Sequence, residues 1–172
     1  MIRSRFDRSR WNLLGAGICV GLLAYAYYAQ YIQGYTPCPL CIFQRVALFP
    51  AAAVFVLAGI HNPQGWGSRV YAVLGVLAAA LGAFTSGWHV YVQYSDNPPA
   101  CLASLEVVMQ NNEFFDALVR VFQNSGDCTQ IDWSFLGLSM PTWVLFWFIA
   151  LGALSLYANW KKLGTSWGQS PS

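Results

Sequence analysis

The chain has 172 residues, of which 56% are hydrophobic and only 9% are charged, with nine Lys or Arg against seven Asp or Glu. A soluble domain carries roughly 25% charged residues, so few polar side chains remain here to cover a water-exposed surface. This shortage excludes an intrinsically disordered chain and a nucleic-acid binder, which needs a basic stripe. Aromatic residues reach 16% and include eight Trp, a residue type that collects at lipid interfaces. Composition therefore predicts a membrane protein.

Four stretches are apolar and long enough to cross a hydrocarbon core about 30 Å thick, which takes roughly 20 helical residues. They lie at about 11–32, 42–60, 70–92 and 141–160. Backbone groups in lipid must be hydrogen-bonded within their own segment, so each span is predicted to be a helix. The prediction is an all-α bundle of four transmembrane helices, forming one domain over 1–172, with outer loops at about 33–41 and 93–140.

Charges are distributed unevenly between the two ends of these spans. Seven basic residues flank one end: Arg3, Arg5, Arg8, Arg10, Arg69, Lys161 and Lys162. Six acidic residues flank the other: Asp96, Glu106, Glu113, Asp116, Asp127 and Asp132. The positive-inside rule places the basic end in the cytoplasm. Both termini are therefore expected there, with the two outer loops on the opposite side.

A cleaved signal peptide is an alternative interpretation of the N-terminus. Basic residues precede an apolar run, and the Ala-Tyr-Ala sequence at 24–26 resembles a cleavage site. The apolar run extends from Trp11 to Ile32, well beyond the roughly 7–15 residues of a signal-peptide core. A retained first span is therefore favoured.

Cysteines carry most of the functional signal. Cys38, Cys41, Cys101 and Cys128 fall in or beside the predicted outer loops, whereas Cys19 lies in the first span. An even number of cysteines in an oxidising compartment suggests two disulfides, for which three pairings are possible. The first two cysteines form a CxxC motif, the spacing of a redox-active dithiol, and the last two remain as the natural second pair. Purely structural disulfides are the alternative, which is weak for the CxxC because so small a ring restricts little chain entropy.

A zinc site built from Cys38, Cys41 and His89 is a further alternative. Structural zinc sites usually use two close ligand pairs, and the chain contains only one CxxC, so no metal is expected. Cys19, a lone thiol within a span, is interpreted as a small apolar residue.

Arg45 and His89 are ionisable groups within the predicted spans. Arg45 follows Cys41 by four residues, so the two side chains share a face of the second helix. Such an arginine either snorkels to the interface or holds an anion inside the bundle, and the second interpretation is favoured. A thiolate at a helix N-terminus gains from the macrodipole and from a nearby cation, which indicates a reactive Cys41. His89 fits an interfacial structural residue and a pocket residue equally well.

The long outer loop contains apolar residues spaced as one face of a helix: Phe114, Phe115, Leu118, Val119 and Phe122. A short amphipathic helix is predicted there. It would lie flat on the membrane surface or pack against the outer ends of the bundle.

Together these features resemble the DsbB family of bacterial inner-membrane thiol oxidases. One part of the resemblance is the CxxC followed by Arg45 at the start of the second span. Another is the Gly-Asp-Cys sequence that ends at Cys128, followed by Trp-Ser-Phe-Leu-Gly-Leu-Ser-Met-Pro beginning at Trp133. The resemblance covers all four spans and both outer loops.

The resemblance implies a relay through two catalytic cysteine pairs. Cys101 and Cys128 correspond to the pair that serves a periplasmic DsbA-like dithiol protein, and Cys38 and Cys41 to the pair on the quinone side. Two electrons would pass from the partner through both pairs to a membrane quinone, with ubiquinone expected ahead of menaquinone. The sequence contains no haem or flavin motif, which also favours a lipid-soluble quinone as the acceptor.

The resemblance also implies residues that bind the quinone. Arg45 corresponds to the arginine of the family's quinone site, Cys41 to the thiol beside the ring, and His89 to a histidine near it. The protein is then expected in the bacterial inner membrane, with cytoplasmic termini and periplasmic cysteine loops.

Two other functions remain open. One is a quinone- and thiol-dependent enzyme similar to vitamin K epoxide reductase, although in that family the CxxC belongs to a late helix rather than the second. The other is a non-catalytic membrane scaffold whose disulfides only staple the outer loop.

Overall fold

The computed structural model describes residues 2–95, 128–129, 131 and 133–160, with side chains described from residue 7 onward. This part contains four long helices and one hairpin: α1 (Ile2–Tyr31), α2 (Pro39–His61), α3 (Trp66–Tyr94), β1 (Ser134–Phe135), β2 (Leu138–Ser139) and α4 (Met140–Trp160). The predicted amphipathic helix of the outer loop lies outside the described residues, and so does Cys101.

Each helix is long and apolar enough to cross a membrane. The candidate spans contain 25, 23, 29 and 21 residues. At a rise of about 1.5 Å per residue, even the shortest reaches about 31 Å, which matches a hydrocarbon core of about 30 Å. Large apolar side chains such as Ile60, Leu81 and Phe84 are exposed on the outside of the bundle, where lipid can cover them. The chain is therefore a multi-pass membrane protein, and the predicted four-helix fold class is confirmed.

The helices extend beyond the predicted spans. α1 begins nine residues before the predicted start at 11, and α3 begins at Trp66 rather than at 70. Hydropathy marks only the part of a helix that lies in hydrocarbon, whereas the backbone hydrogen bonds continue into the polar interface.

The four helices form a ring in which α3 packs most extensively against α4, while α1 contacts both α2 and α4. Small residues allow the closest approaches. A Cβ atom at Gly75 would overlap Ser155, and one at Gly82 would overlap the ring of Phe148. Membrane helices generally use small residues in this way, because close packing rather than water exclusion holds them together.

The bundle has an apolar core at mid-height. Phe55, Phe148 and Leu151 are each 1% exposed, and Cys19 is fully buried among them. This position agrees with the interpretation of Cys19 as a small apolar residue.

A two-residue hairpin precedes α4 and was not predicted from the sequence. Leu136 and Gly137 form its turn with positive φ angles of 55° and 77°, and Phe135 pairs with Leu138. A turn with two positive φ angles matches the right-handed twist of the strands. The indole of Trp143 donates a hydrogen bond of 3.1 Å to the Phe135 carbonyl, which ties the hairpin to the first turn of α4.

Candidate active site at the cysteine end of the bundle

The CxxC motif lies at the start of α2. Cys38 is the N-cap residue, with extended backbone angles (φ −76°, ψ 163°), and Pro39 occupies the first turn, where its missing N–H costs nothing. The Cys38 Sγ accepts a hydrogen bond of 3.3 Å from the backbone N–H of Cys41, in the manner of a capping side chain. The two Sγ atoms are 2.8 Å apart, and both residues are free thiols. The predicted redox pair is thus held together at a helix N-terminus.

His89 joins this pair from α3. It is 2% exposed, and its Nε2 lies 3.6 Å from the Cys38 Sγ. On the other side of the ring, Nδ1 lies 3.2 Å from the side-chain Nε2 of Gln44. The ring is therefore held between α2 side chains on both of its nitrogens. This geometry matches the pocket interpretation of His89 rather than the interfacial one.

The surroundings of Cys38 make its proton hard to remove. The hydrogen bond with Cys41 and burial both raise the pKa of the Cys38 thiol well above its ordinary value. Cys38 therefore keeps its proton near neutral pH unless a neighbouring group accepts it, and His89 is the imidazole in contact with it.

Cys128 belongs to the same buried cluster. Cys38, Leu40, Val92 and Cys128 pack together, with exposures between 1% and 6%, and Cys41 contacts this cluster. Cys128 is disulfide-bonded. Cys101, its predicted partner, lies outside the described residues. The structure thus brings a cysteine of the long loop against the CxxC, although 90 residues separate Cys38 from Cys128.

A cavity, partly open to the surroundings, borders the two thiols. Apolar side chains from three helices form much of its wall: Leu22, Ala29, Leu48 and Val144. Cys41, Gln44 and Arg45 provide polar groups at the same cavity. Small-molecule sites are mostly apolar and contain a few polar groups that orient the ligand. The lining of this cavity has that character, so the cavity is a candidate site for a small, largely apolar molecule.

Arg45 lines this cavity but is held by α1. Its guanidinium donates hydrogen bonds to the side-chain oxygen of Gln30 and, at 3.1 Å, to the carbonyl of Ala26. The guanidinium carbon also lies 5.3 Å from the centre of the Tyr27 ring, a cation–π distance. Within the described residues, Arg45 makes no hydrogen bond with Cys41. The two side chains border the same cavity, and the bonds to Gln30 and Ala26 use only part of the donor capacity of the guanidinium.

An aromatic wall closes one side of the cavity. The Tyr25 and Trp133 rings meet edge to face with centres 6.3 Å apart, and Trp133 also stacks on Phe135 of the hairpin at 6.1 Å. Tyr25 and Trp133 both line the cavity. The hairpin thus positions a tryptophan at the site.

Sequence reasoning missed two residues of this site, Gln30 and Gln44. Gln30 is bonded to Arg45 and Gln44 to His89, so each glutamine orients one of the predicted ionisable groups. A signal was available, because a polar side chain within a membrane span is rare and usually faces the bundle interior.

Comparisons with known proteins identify relatives of this chain. The profile of the family described as "Disulfide bond formation protein DsbB" matches residues 8–158. A protein of Methylococcus capsulatus named "Disulfide bond formation protein B" is 45% identical over 151 residues, which is 87% of this chain and 92% of the relative. Proteins with the same name from Xanthomonas campestris pv. campestris and Nitrosococcus oceani are 44% and 42% identical, covering 90% and 86% of this chain and 95% and 89% of the relatives.

The matched range extends over most of the chain and contains the positions of the CxxC, Arg45, His89 and Cys128. The family name denotes a role in disulfide formation, which is an oxidoreductase reaction. The chain is a multi-pass membrane protein that belongs to the DsbB disulfide bond formation family.

Proposed function

We propose that this chain is a membrane thiol oxidase that oxidises a periplasmic DsbA-like dithiol protein and passes the electrons to a membrane quinone. The observation that carries the proposal is the position of Cys38. This residue packs against Cys128 on one side and is paired with Cys41, which borders the cavity, on the other. A single cysteine therefore connects a disulfide of the long loop with a small-molecule site.

The proposed relay begins at Cys101. Cys128 is 1% exposed, so a soluble protein has little access to its sulfur. A thiolate of the reduced partner instead attacks the Cys101 sulfur, forms a mixed disulfide, and releases Cys128 as a thiolate. Cys128 then attacks Cys38 in a closed Cys38–Cys41 bridge, forms a Cys38–Cys128 disulfide, and releases Cys41 as a thiolate beside the cavity. Packing of Cys128 against Cys38 makes this exchange intramolecular, which raises its rate through effective concentration.

The second thiol of the partner completes the exchange. It attacks the mixed disulfide, leaves as the oxidised partner, and releases Cys101 as a thiolate. Cys101 attacks Cys128 and restores the outer bridge, which leaves Cys38 and Cys41 reduced. The net change is that the partner loses two electrons and two protons, and the CxxC gains them.

Closing the Cys38–Cys41 bridge again requires removal of two electrons and two protons. His89 Nε2, 3.6 Å from the Cys38 Sγ, is in position to take the Cys38 proton. Gln44 offers both a donor and an acceptor to the other ring nitrogen by rotation of its amide, so it can support either tautomer of His89.

Cys41, Arg45 and the apolar wall would hold the quinone. When bound, a quinone supplies the two-electron, two-proton acceptor that the dithiol needs. Arg45, held by Gln30 and Ala26, would supply a positive charge that stabilises negative charge developing on a quinone oxygen. We further propose that the protein lies in the bacterial inner membrane with cytoplasmic termini, which follows from the basic residues at that end.

Trapping experiments test the relay order. With a reduced partner variant that keeps only its attacking thiol, the oxidised wild-type protein should accumulate a mixed disulfide at Cys101, because no second partner thiol is present to release it. The Cys101→Ser protein should give neither an adduct nor electron flow. Mass spectrometry of the trapped species identifies the linked cysteine, and a partner attached mainly to Cys38 would contradict the proposed order.

Turnover experiments test the acceptor. The purified protein, supplied with a reduced DsbA-like protein and either ubiquinone or menaquinone, should produce quinol, measured by absorbance. The Cys41→Ser protein is the inactive control. A wild-type protein that binds the partner but reduces neither quinone would favour the scaffold function instead.

A further inference from the structure

We infer that the reduced CxxC and His89 form a binding site for a thiophilic divalent cation such as Zn²⁺. Metal binding needs only Cys38 and Cys41 in their reduced, unbridged state. It is a property beyond the proposed function. Its consequence, reversible inhibition of the oxidase, rests on that function. Cys38, Cys41 and His89 each place one ligand atom within 4.8 Å of the other two.

The geometry requires only a small adjustment to accept the ion. Zinc–sulfur bonds are about 2.3 Å and zinc–nitrogen bonds about 2.0–2.1 Å, so tetrahedral ligand atoms lie about 3.5–3.8 Å apart. The Cys38 Sγ and His89 Nε2 already have a separation of 3.6 Å. The two Sγ atoms, 2.8 Å apart, would have to separate by about 1 Å. The adjacent cavity leaves a fourth position for water.

Gln44 provides the outer partner that a metal-bound histidine requires. Such a histidine usually donates its second ring N–H to a hydrogen-bond acceptor, which fixes the ring and leaves the other nitrogen for the metal. The Gln44 amide lies against His89 Nδ1. With its oxygen turned toward the ring, it accepts the Nδ1 proton while Nε2 faces Cys38.

Charge favours a soft divalent ion at this position. Binding releases one proton from each thiol, so the two thiolates neutralise the ion and a neutral complex is buried rather than a net charge. Thiolate and imidazole ligands select zinc, cadmium and cobalt, whereas magnesium and calcium need oxygen ligands. Among the described residues the only carboxylate side chain is that of Asp7, in the N-terminal part of α1. Discrimination against magnesium is therefore expected.

The direct test uses Co²⁺ as a spectroscopic probe of the reduced, full-length protein with Cys101→Ala and Cys128→Ala, so that the outer pair cannot bind. One Co²⁺ per chain should produce the visible bands of tetrahedral thiolate coordination. Zn²⁺ should remove these bands and Mg²⁺ should not. Binding by protein whose Cys38–Cys41 bridge is closed would overturn the inference.

Variants separate the three-ligand site from a simple dithiol. Gln44→Leu removes the hydrogen-bond acceptor of His89 Nδ1 and should weaken Co²⁺ binding about 10- to 100-fold. Gln44→Glu keeps an acceptor there and should retain binding. His89→Asn should weaken binding further and shift the bands. Cys19→Ala and His61→Asn are matched controls and should bind as the parent does. Unchanged bands and affinity in His89→Asn would overturn the site.

Inhibition is tested separately on the wild-type protein. Zn²⁺ should stop quinone reduction, and a chelator should restore it. Co²⁺ binding by a protein that reduces no quinone even without metal would contradict the proposed function but support the metal site. Normal turnover with no Co²⁺ binding would support the proposed function and contradict the metal site.

Discussion

The two ends of the bundle both bury polar side chains between helices, but they use them differently. At the end of the bundle where α4 ends, Asn12 of α1 and Asn159 of α4 exchange two hydrogen bonds, of 3.1 and 2.9 Å. At the other end, Cys38, His89 and Gln44 form a chain of contacts beside the cavity. We call these the asparagine end and the cysteine end.

The difference lies in the bonding capacity that remains. Each asparagine donates its second N–H to the carbonyl four residues earlier, Asn12 to Arg8 and Asn159 to Ser155, so both amide groups have their donors occupied. At the cysteine end the thiols can still react, and among the described residues Arg45 uses only part of its donor capacity. A buried polar group in a membrane bundle is therefore not by itself a sign of function. A functional site needs reactive or hydrogen-bonding groups that are not already paired, next to a space that a ligand can enter.

The largest expected effect is at Cys41. In Cys41→Ser, turnover should fall to the uncatalysed background, because the CxxC disulfide can no longer form. The Cys41 side chain is only half-buried, and serine is close to cysteine in size. The free energy of unfolding should therefore change by less than about 1 kcal/mol. Quinol formation and unfolding in detergent measure the two quantities. Cys19→Ala is the control that should keep turnover, and activity in Cys41→Ser would place the site elsewhere.

Loss of His89 should change the pH dependence of oxidation of the reduced CxxC. Because the pKa of Cys38 is raised, its thiolate fraction near neutral pH is small and increases with pH. In His89→Asn, quinone reduction in a single turnover should be slower by about 10²-fold at neutral pH and rise about tenfold per pH unit. The wild-type protein and the His61→Asn control should show a shallower rise. Parallel profiles for wild type and His89→Asn would remove His89 from the proton transfer.

At the asparagine end the expected effect is on stability alone. Asn159→Leu leaves the Asn12 amide buried without its partner, which should cost about 1–3 kcal/mol of unfolding free energy. The double replacement Asn12→Leu with Asn159→Leu should recover part of that cost, and a double-mutant cycle in detergent measures the coupling. Turnover per folded molecule should stay at the wild-type level. Reduced turnover in a stable double variant would show that the two ends are coupled.

The smallest expected effect is at Gln30. In Gln30→Leu, Arg45 keeps its charge but loses one of its two hydrogen-bond acceptors on α1, so the KM for quinone should rise about tenfold, equivalent to about 1.4 kcal/mol. Arg45→Lys should also weaken quinone use, because it loses the planar fork of donors. Exchange between the partner and the Cys101–Cys128 pair should be unaffected in both variants. Unchanged quinone kinetics in Gln30→Leu, Arg45→Lys and Arg45→Ala would favour the snorkelling interpretation of Arg45.

Much of the architecture could be predicted because its causes are local. A long apolar segment without charge has few alternatives to a membrane helix, since each backbone group must be bonded within the segment. The CxxC and its position at a helix start can also be recognised in a few consecutive residues. The hairpin at Phe135–Leu138 was missed because two-residue strands have no periodicity and Leu136 is an unusual residue for a positive φ angle.

The site depended on contacts between distant parts of the chain. Gln44 and His89 are 45 residues apart, and Arg45 and Gln30 are 15 apart on different helices. Hydropathy indicates that a helix spans the membrane, but it does not determine which face of that helix packs against which neighbouring helix.

The amino-acid sequence by itself determined four apolar helices, the asymmetry of their flanking charges and a dithiol at the start of the second helix. The tertiary structure decided that Cys128 packs against Cys38, that Arg45 is hydrogen-bonded to α1, and that the two asparagines pair with each other. The physical reason is that hydrophobicity and helix formation act along the chain, whereas helix rotation and pairing are decided by close packing and hydrogen bonding between segments.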